Sequence, residues 1–234
     1  MVSLKQIDIA ILCGGLGKRL RSVIGESQKV MAQVNDEPFL NILLKSIAQQ
    51  RGRRVVLLTG YKAASVARYY RKDNLGLKIE CSMEKRPLGT GGALKNAQSL
   101  IHSDPFILMN GDSFCPVDYG QLLKFHNQKK ALATVVIKKL KESWDFGVIS
   151  VNSKSEIINF QEKVKQSSAY TSAGVYCFNR DIFSLMPAQN QFSMEHDFFP
   201  RLIGKSFFGF RIKDDFIDVG IPQRYRQAQK IFKK

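Results

Sequence analysis

Residues 7–20 read Ile-Asp-Ile-Ala-Ile-Leu-Cys-Gly-Gly-Leu-Gly-Lys-Arg-Leu, an apolar run that passes directly into a glycine-rich segment. The apolar part, residues 7–13, has the length and composition of a strand that is buried on both faces. Gly14, Gly15 and Gly17 allow positive φ angles and a close approach of the backbone to a ligand. Their amides can surround phosphate oxygens, so the loop is a candidate anion site. A plain tight turn explains an isolated Gly-Gly-x-Gly equally well.

Two common phosphate-binding motifs do not fit this loop. A P-loop needs Ser or Thr after Gly17-Lys18, where this chain has Arg19. The dinucleotide fingerprint needs a third glycine, where this chain has Leu20. Lys18 and Arg19 nevertheless place two cations behind the glycines, and arginine can bind phosphate in a bidentate manner.

Outward from this segment, strand and helix patterns alternate. Apolar runs predict strands at residues 54–59, 77–82, 105–109 and 132–137, and helical spacing predicts helices at residues 38–50, 63–72, 92–101 and 117–128. Such alternation with continuously apolar strands predicts an α/β fold with a mostly parallel sheet and helices on both faces. In open sheets of this kind, ligands bind beyond the carboxyl ends of the strands.

The pattern changes after about residue 141. Short strands are predicted at residues 148–151, 157–160, 173–178 and 207–212, with helices at 194–203 and 222–233. No linker, repeat or low-complexity tract divides the chain. We therefore expect a single domain over residues 1–234, with a nucleotide-binding half at about 1–140 and a substrate-binding half at about 141–234.

The bulk composition narrows the classes of partner. The chain carries 36 Lys and Arg against 20 Asp and Glu, a net charge of +16, which suits phosphate-rich substrates or merely a lysine-rich surface. The basic residues are spread along the chain, so we expect no nucleic-acid partner. No apolar stretch reaches the ~20 residues that span a bilayer, so we expect no membrane insertion. The cysteines form no C-x-x-C pair, which favours reduced thiols in the cytoplasm; they are Cys13, Cys81, Cys115 and Cys177.

Several segments, in order along the chain, resemble the motifs of sugar-1-phosphate nucleotidyltransferases. They are residues 14–20 (GGLGKRL) followed by Lys29, 87–93 (PLGTGGA), 110–113 (NGDS), 146–148 (FGV), 162–163 (EK), 172–176 (SAGVY) and 218–222 (DVGIP). The resemblance extends from residue 9 to residue 222. It implies a Rossmann-like nucleotidyltransferase fold of the GT-A-like kind and an enzyme that joins a nucleoside triphosphate to a sugar 1-phosphate.

The resemblance also implies roles for individual residues. Asp112 and Asp218 would hold Mg²⁺, Arg19 and Lys29 would neutralise the triphosphate, and Lys163 would hold the sugar phosphate. The implied nucleotide-binding residues are Leu12, Cys13, Gly14, Gly15, Gly17, Lys18, Gly89, Thr90, Gly91 and Asn110. The implied sugar-binding residues are Gly147, Glu162, Ser172 and Gly174. A sugar phosphate is already anionic at neutral pH, so such a site supplies positioning and charge neutralisation and needs no protein base.

The chain departs from the family pattern at four positions. Lys18 replaces a threonine, Gln28 and Val164 replace prolines beside the two lysines, and Ile221 replaces a threonine. These departures leave open a non-catalytic subunit that binds nucleotide sugars. A glycosyltransferase is a further alternative, although residues 110–112 supply one acid where those enzymes use a D-x-D pair.

The choice of base and sugar rests on resemblance alone. Residues 88–93 and 192–200 look most like those of D-glycero-α-D-manno-heptose 1-phosphate guanylyltransferases, which implies GTP and a heptose 1-phosphate. Mannose-1-phosphate guanylyltransferase and N-acetylmuramate-1-phosphate uridylyltransferase are the alternatives. The sequence leaves a homo-oligomer open.

Overall fold

A computed structural model describes residues 4–72, 74–142, 147–161 and 167–233. Its strands are β1 (Asp8–Leu12), β2 (Gln33–Val34), β3 (Glu37–Pro38), β4 (Arg54–Thr59), β5 (Lys78–Met83), β6 (Phe106–Asn110), β7 (Ser113–Phe114), β8 (Ala133–Glu142), β9 (Val148–Val151), β10 (Ile157–Gln161), β11 (Ser167–Phe178), β12 (Phe207–Ile212) and β13 (Ile217–Asp218). Its α-helices are α1 (Arg21–Ile24), α2 (Phe39–Gln49), α3 (Ala63–Lys72), α4 (Gly89–Asn96), α5 (Tyr119–Gln128), α6 (Phe199–Leu202) and α7 (Pro222–Ile231).

The central sheet has nine strands in the described part of the chain. Strands β5, β4, β1 and β6 are parallel neighbours in that order. Strand β11 runs antiparallel to β6, and it in turn pairs antiparallel with both β8 and β9. Strand β12 is parallel to β8, and β10 is antiparallel to β9. All the strands except β10 and β11 therefore point in one direction, so the predicted mostly parallel sheet is confirmed.

Helices cover both faces of the sheet. Along β1, Ile9 and Ile11 belong to one core cluster and Ala10 to the other, as the two-residue period of a strand requires. The first cluster takes its helical side chains from α2, α3, α5 and α7, and the second takes them from α4, α6 and the π-helical turn Met194–Phe198. Burial on both faces explains why the strands of the first half are continuously apolar.

The predicted elements differ from the structure mainly at their ends. Strand β11 begins at Ser167, earlier than the predicted strand at 173–178, because its first half alternates small and polar residues and lacks an apolar run. The helix predicted at 92–101 is the α-helix α4 followed by a 3₁₀ turn at Gln98–Leu100. The helix predicted at 194–203 is a π-helical turn that leads into α6.

Two short ladders were not predicted. Strand β2 pairs with β3, and β13 pairs with β7 through the register Asp218 to Ser113. The second ladder closes a separation of about a hundred residues and places the end of the chain beside the end of β6. Among the described helices, none combines the length and the apolar character needed to cross a bilayer.

Candidate functional site

Two adjoining cavities lie at the carboxyl ends of β1 and β6. The first has a volume of about 330 Å³ and the second about 210 Å³. Lys29, Asn110 and Asp112 line both. Ligands bound in the two cavities would therefore meet at these three side chains.

The glycine loop and the start of α4 form the walls of the first cavity. Of the residues predicted to bind nucleotide, those that line it are Leu12, Gly14, Gly15, Gly89, Thr90 and Asn110. Gly89 has φ of +75°, and a Cβ atom there would lie 2.5 Å from the carbonyl oxygen of Phe192. Residue 89 must therefore be glycine for α4 to begin where it does.

The remaining predicted nucleotide residues do not line either cavity. Cys13 is fully buried, and its carbonyl accepts a hydrogen bond from Gln28 Nε2. Gly17, at φ +59°, packs against Lys29, and Lys18 is exposed. The Gly91 amide donates to the Phe192 carbonyl at 3.0 Å, so it is already used within the fold.

Gln28 occupies the position where the family pattern has proline, and its side chain forms a buried hydrogen bond there. The side chain is buried and its amide group ties residue 28 to the end of β1. Its neighbour Lys29 opens a 3₁₀ turn, Lys29–Met31, which directs the lysine into both cavities. In this chain a hydrogen bond from Gln28 therefore fixes the residue that precedes Lys29.

Lys29 and Asp112 form an ion pair at the junction of the cavities. The lysine Nζ contacts Asp112 Oδ2, and Ser113 Oγ donates to Asp112 Oδ1 at 3.1 Å. Burial raises the pKa of Asp112, but the charge and hydrogen bond of Lys29 outweigh it and leave that pKa below its usual value. Asp112 is therefore ionised at neutral pH.

Asp218 reaches the same place from the other end of the chain. The β7–β13 ladder sets it opposite Ser113, and the Val219 amide donates to the Asp112 carbonyl at 2.8 Å. The Gly220 amide donates to Asp218 Oδ1 at 2.6 Å, and Arg224 Nη2 lies 3.2 Å from Oδ2.

Asp218 lies close enough to Asp112 for the two carboxylates to repel each other, as the carboxylates of a cation site do. Burial raises the pKa of this carboxyl and the nearby charge of Asp112 raises it further, while Arg224 opposes both. A divalent cation would relieve the repulsion between the two carboxylates. Magnesium needs one or two protein carboxylates together with waters and substrate phosphates, so this pair fits it. Among the described residues, no cluster of three or more His, Cys, Asp or Glu offers a fuller set of ligands.

The second cavity holds the predicted sugar-side residues that the structure describes. Gly147, Ser172 and Gly174 line it together with Arg19 and Asp218. Gly174 has φ of +74°, and a Cβ atom there would approach Asn110 Nδ2 to 3.0 Å. Ser172 Oγ donates to Tyr176 Oη at 3.1 Å. The predicted residues Glu162 and Lys163, and the departure at Val164, lie outside the described residues.

The sequence analysis assigned no role to six polar residues that line these cavities. Glu84 lines the first, and the second is lined by Ser113, Thr171, Tyr176, Glu195 and Arg224. Glu84 directly follows β5, so the rule that ligands bind at carboxyl ends of strands could have found it. Ser113, Tyr176 and Glu195 lie in segments that carry the family resemblance, whereas Thr171 and Arg224 carry no local signal.

Glu84 is held at the wall of the first cavity. The Leu88 amide donates to its Oε2 at 3.0 Å. A Cβ atom built on Gly14 would lie 3.0 Å from Oε1, so this oxygen faces the glycine loop. Burial raises the pKa of Glu84 above its usual value, and the Leu88 hydrogen bond opposes that rise.

Comparison with known proteins gives three consistent findings. The sequence profile of the Nucleotidyl transferase family matches residues 9–234. The chain is 38% identical over 225 residues to a D-glycero-α-D-manno-heptose 1-phosphate guanylyltransferase of Aneurinibacillus thermoaerophilus, covering 96% of this chain and 97% of that protein. A protein of the same description from Campylobacter jejuni is 37% identical over 216 residues, covering 92% and 95%.

A solved structure agrees with these relatives. HddC from Yersinia pseudotuberculosis, complexed with GMP-PN, superposes with a TM-score of 0.86 at 33% identity. The superposition covers 97% of this chain and 100% of that one.

Proposed function

The chain belongs to the Nucleotidyl transferase family, and we propose that it transfers the guanylyl group of GTP to D-glycero-α-D-manno-heptose 1-phosphate. An oxygen of the sugar phosphate attacks the α-phosphorus of GTP, the bond from that phosphorus to the bridging oxygen breaks, and pyrophosphate leaves. The products are the GDP-sugar and pyrophosphate. The heptose is supported by the two heptose 1-phosphate guanylyltransferases that align with more than nine-tenths of this chain.

The observation that carries the proposal is the pair of cavities that meet at Lys29, Asn110 and Asp112. A reaction between two phosphorylated substrates needs two adjoining sites with the reacting groups at their junction. The junction must also carry charge that offsets the phosphates. Lys29 supplies a cation there, and Asp112 with Asp218 supplies the carboxylates for a metal ion.

The first cavity suits a guanine nucleotide. Its junction end carries Lys29 and Asp112, and Glu84 lies outside the shared set. With the triphosphate at the junction, the base lies toward Glu84. Guanine presents the N1–H and N2–H₂ donors on one edge, and an ionised carboxylate only accepts hydrogen bonds. Glu84 therefore matches guanine better than a base with a single N–H donor on that edge.

Enzymes of this family generally use a divalent metal ion, and we infer Mg²⁺ at Asp112 and Asp218. When bound, the ion would neutralise phosphate charge at the junction. The chain's own contribution is to hold the two carboxylates together through the β7–β13 ladder. Lys29 keeps Asp112 ionised and stands ready to contact phosphate oxygens.

Arg19 and Lys163 complete the proposed catalytic set. Arg19 lies in the second cavity, where its guanidinium can bind a phosphate in bidentate fashion. Lys163 takes its role from motif position alone, as do the sugar contact of Glu162 and the nucleotide contacts of Gly17 and Lys18.

We also infer one domain over residues 1–234 with two functional halves. Every residue that lines the first cavity precedes residue 140, and Gly147, Ser172 and Gly174 line the second. All four cysteines are unpaired, which supports the cytoplasm as the place of reaction.

The proposal is tested by pyrophosphate release. Purified protein is incubated with Mg²⁺, each of five nucleoside triphosphates, and a panel of sugar 1-phosphates that includes heptose and mannose. We expect the highest kcat/KM with GTP and the heptose. Asp112→Asn, which keeps the shape of the side chain, is expected to lower kcat by about 10²- to 10³-fold. Release with a different pair would overturn the substrates alone, and no release from folded protein would favour a non-catalytic binding subunit.

A further inference from the structure

One side-chain contact joins the two cavities away from their shared junction. Thr90 lines the first cavity and Glu195 lines the second. Thr90 Oγ1 donates to Glu195 Oε2 at 3.0 Å and accepts from the Met194 amide at 2.8 Å. Ser193 Oγ lies 3.1 Å from the same carboxylate oxygen. The loop that begins α4 therefore fixes the position of Glu195.

The other oxygen of this carboxylate is available to a ligand. Within the described residues, Oε1 of Glu195 receives no hydrogen bond from the protein. An ionised carboxylate only accepts hydrogen bonds, so its partner must be a donor. A phosphate would be repelled, because both groups are negative. The partner in a sugar-phosphate cavity is therefore a hydroxyl group.

A second side chain of the same cavity, Thr171, carries an unpaired polar group. Thr171 is 1% exposed, and its Oγ1 has no hydrogen-bond partner in the described structure. Buried hydroxyl groups are normally paired, because an unpaired one loses its bonds to water without replacement. Thr171 lines the second cavity, so this unpaired hydroxyl lies in the wall behind the proposed sugar site.

We propose that Glu195 selects and positions the sugar by accepting a hydrogen bond from one of its hydroxyl groups. Thr90 holds the carboxylate in place for this contact, so the nucleotide loop helps to build the sugar site. The inference rests on the proposed guanylyl transfer and adds a residue that determines sugar specificity. No catalytic proton transfer is assigned to Glu195.

Glu195→Gln is the informative variant. The amide oxygen of glutamine still accepts from Thr90, whereas its NH₂ group replaces the free acceptor and turns it into a donor. We expect kcat/KM for the heptose 1-phosphate to fall by about tenfold, because the charge-assisted hydrogen bond is lost and the hydroxyl must instead accept a neutral one from the NH₂ group. The KM for GTP is expected to stay within about threefold. Glu156→Gln is the matched control, since Glu156 lies outside both cavities and bonds to Asn152.

Monodeoxy analogues of the heptose 1-phosphate separate a direct contact from a structural effect. For one analogue, the wild-type protein should lose about tenfold or more in kcat/KM, and Glu195→Gln should lose no more than about twofold relative to its own rate with the parent sugar. If every analogue is penalised equally in both proteins, Glu195 touches no hydroxyl and the inference is wrong.

A binding measurement distinguishes failure of this inference from failure of the proposed reaction. Calorimetric titration of the heptose 1-phosphate into the wild type and Glu195→Gln, both with Mg²⁺, needs no turnover. We expect about tenfold weaker binding to the variant while its thermal unfolding temperature matches that of Glu156→Gln. Equal binding would refute the role of Glu195 even if pyrophosphate is released. Weaker binding without any pyrophosphate release would uphold it and refute the reaction.

Discussion

Substitution Glu84→Gln tests how the first cavity reads a base. The Leu88 amide donates to Oε2 at 3.0 Å, and Oε1 faces the glycine loop. The glutamine carbonyl can take over the bond from Leu88, since it is an acceptor of the same size. Its NH₂ group then occupies the position of Oε1, where the proposed function places an acceptor for the donors of guanine.

The magnitude follows from the groups left unpaired. In the wild type, one carboxylate oxygen can accept from the N1–H and N2–H₂ edge of guanine with charge assistance. In the variant, two donors face each other in a partly closed cavity. Loss of a charged hydrogen bond costs about 1.5–3 kcal/mol, and an unsatisfied group adds about 1–3 kcal/mol. We therefore expect kcat/KM for GTP to fall by roughly 10²- to 10⁴-fold.

The assay is initial-rate pyrophosphate release with GTP and UTP as competing donors. Uracil presents one N–H between two carbonyls, so an amide can pair with it through one donor and one acceptor. The GTP to UTP preference should fall by at least about 30-fold, while Glu156→Gln should leave it unchanged. An equal loss for both nucleotides would mean that Glu84 supports the loop and does not read the base, and the reasoning would be refuted.

Two further predictions concern stability. His126 is buried between Thr134 Oγ1 and Asn179 Oδ1, and burial lowers its pKa although the Asn179 bond opposes this. As pH falls, the unfolded chain therefore binds a proton at this histidine before the folded protein does, so the free energy of unfolding should decrease below about pH 6.5. Denaturant titration at two pH values should show a smaller decrease in His126→Gln. Gly111→Ala should lower the free energy of unfolding by about 1–3 kcal/mol, because its Cβ would lie 2.5 Å from the Leu12 carbonyl oxygen. Gly15→Ala is the control, since a Cβ there meets nothing within 4 Å. An equal loss of stability in the two variants would contradict the prediction.

The first half of the fold could be predicted because its signals are local. Strand β4 occupies the predicted residues 54–59, since a strand buried on both faces is one continuous apolar run. Helix α5 begins at Tyr119, where the Asp118 side chain accepts from the Gln121 amide at 2.9 Å, and not at the predicted residue 117. Such a cap shifts an end by two residues without changing the element.

The start of α4 shows where local signals fail. The glycines at 89–92 read equally as a turn, a helix start or an anion loop. In the structure, contacts with a residue about a hundred positions away decide between these possibilities. The Phe192 carbonyl accepts hydrogen bonds from the amides of both Gly91 and Gly92. Gly89 and Thr90 consequently face the first cavity, while Gly91 is buried beneath Phe192. Composition alone could not have made that distinction.

The candidate metal pair depends on long-range packing in the same way. Residue order places Asp218 in the sugar half, yet its neighbours Ile217 and Val219 belong to the core cluster that contains Ile9 and Ile11 of β1. Tyr225 and Ala228 anchor helix α7 in that cluster, so α7 packs on the face of the sheet that also carries α2, α3 and α5. A boundary near residue 140 therefore separates most lining residues of the two cavities, and it also falls between the two carboxylates. The proposed metal site consequently forms only when both halves of the chain have folded against each other.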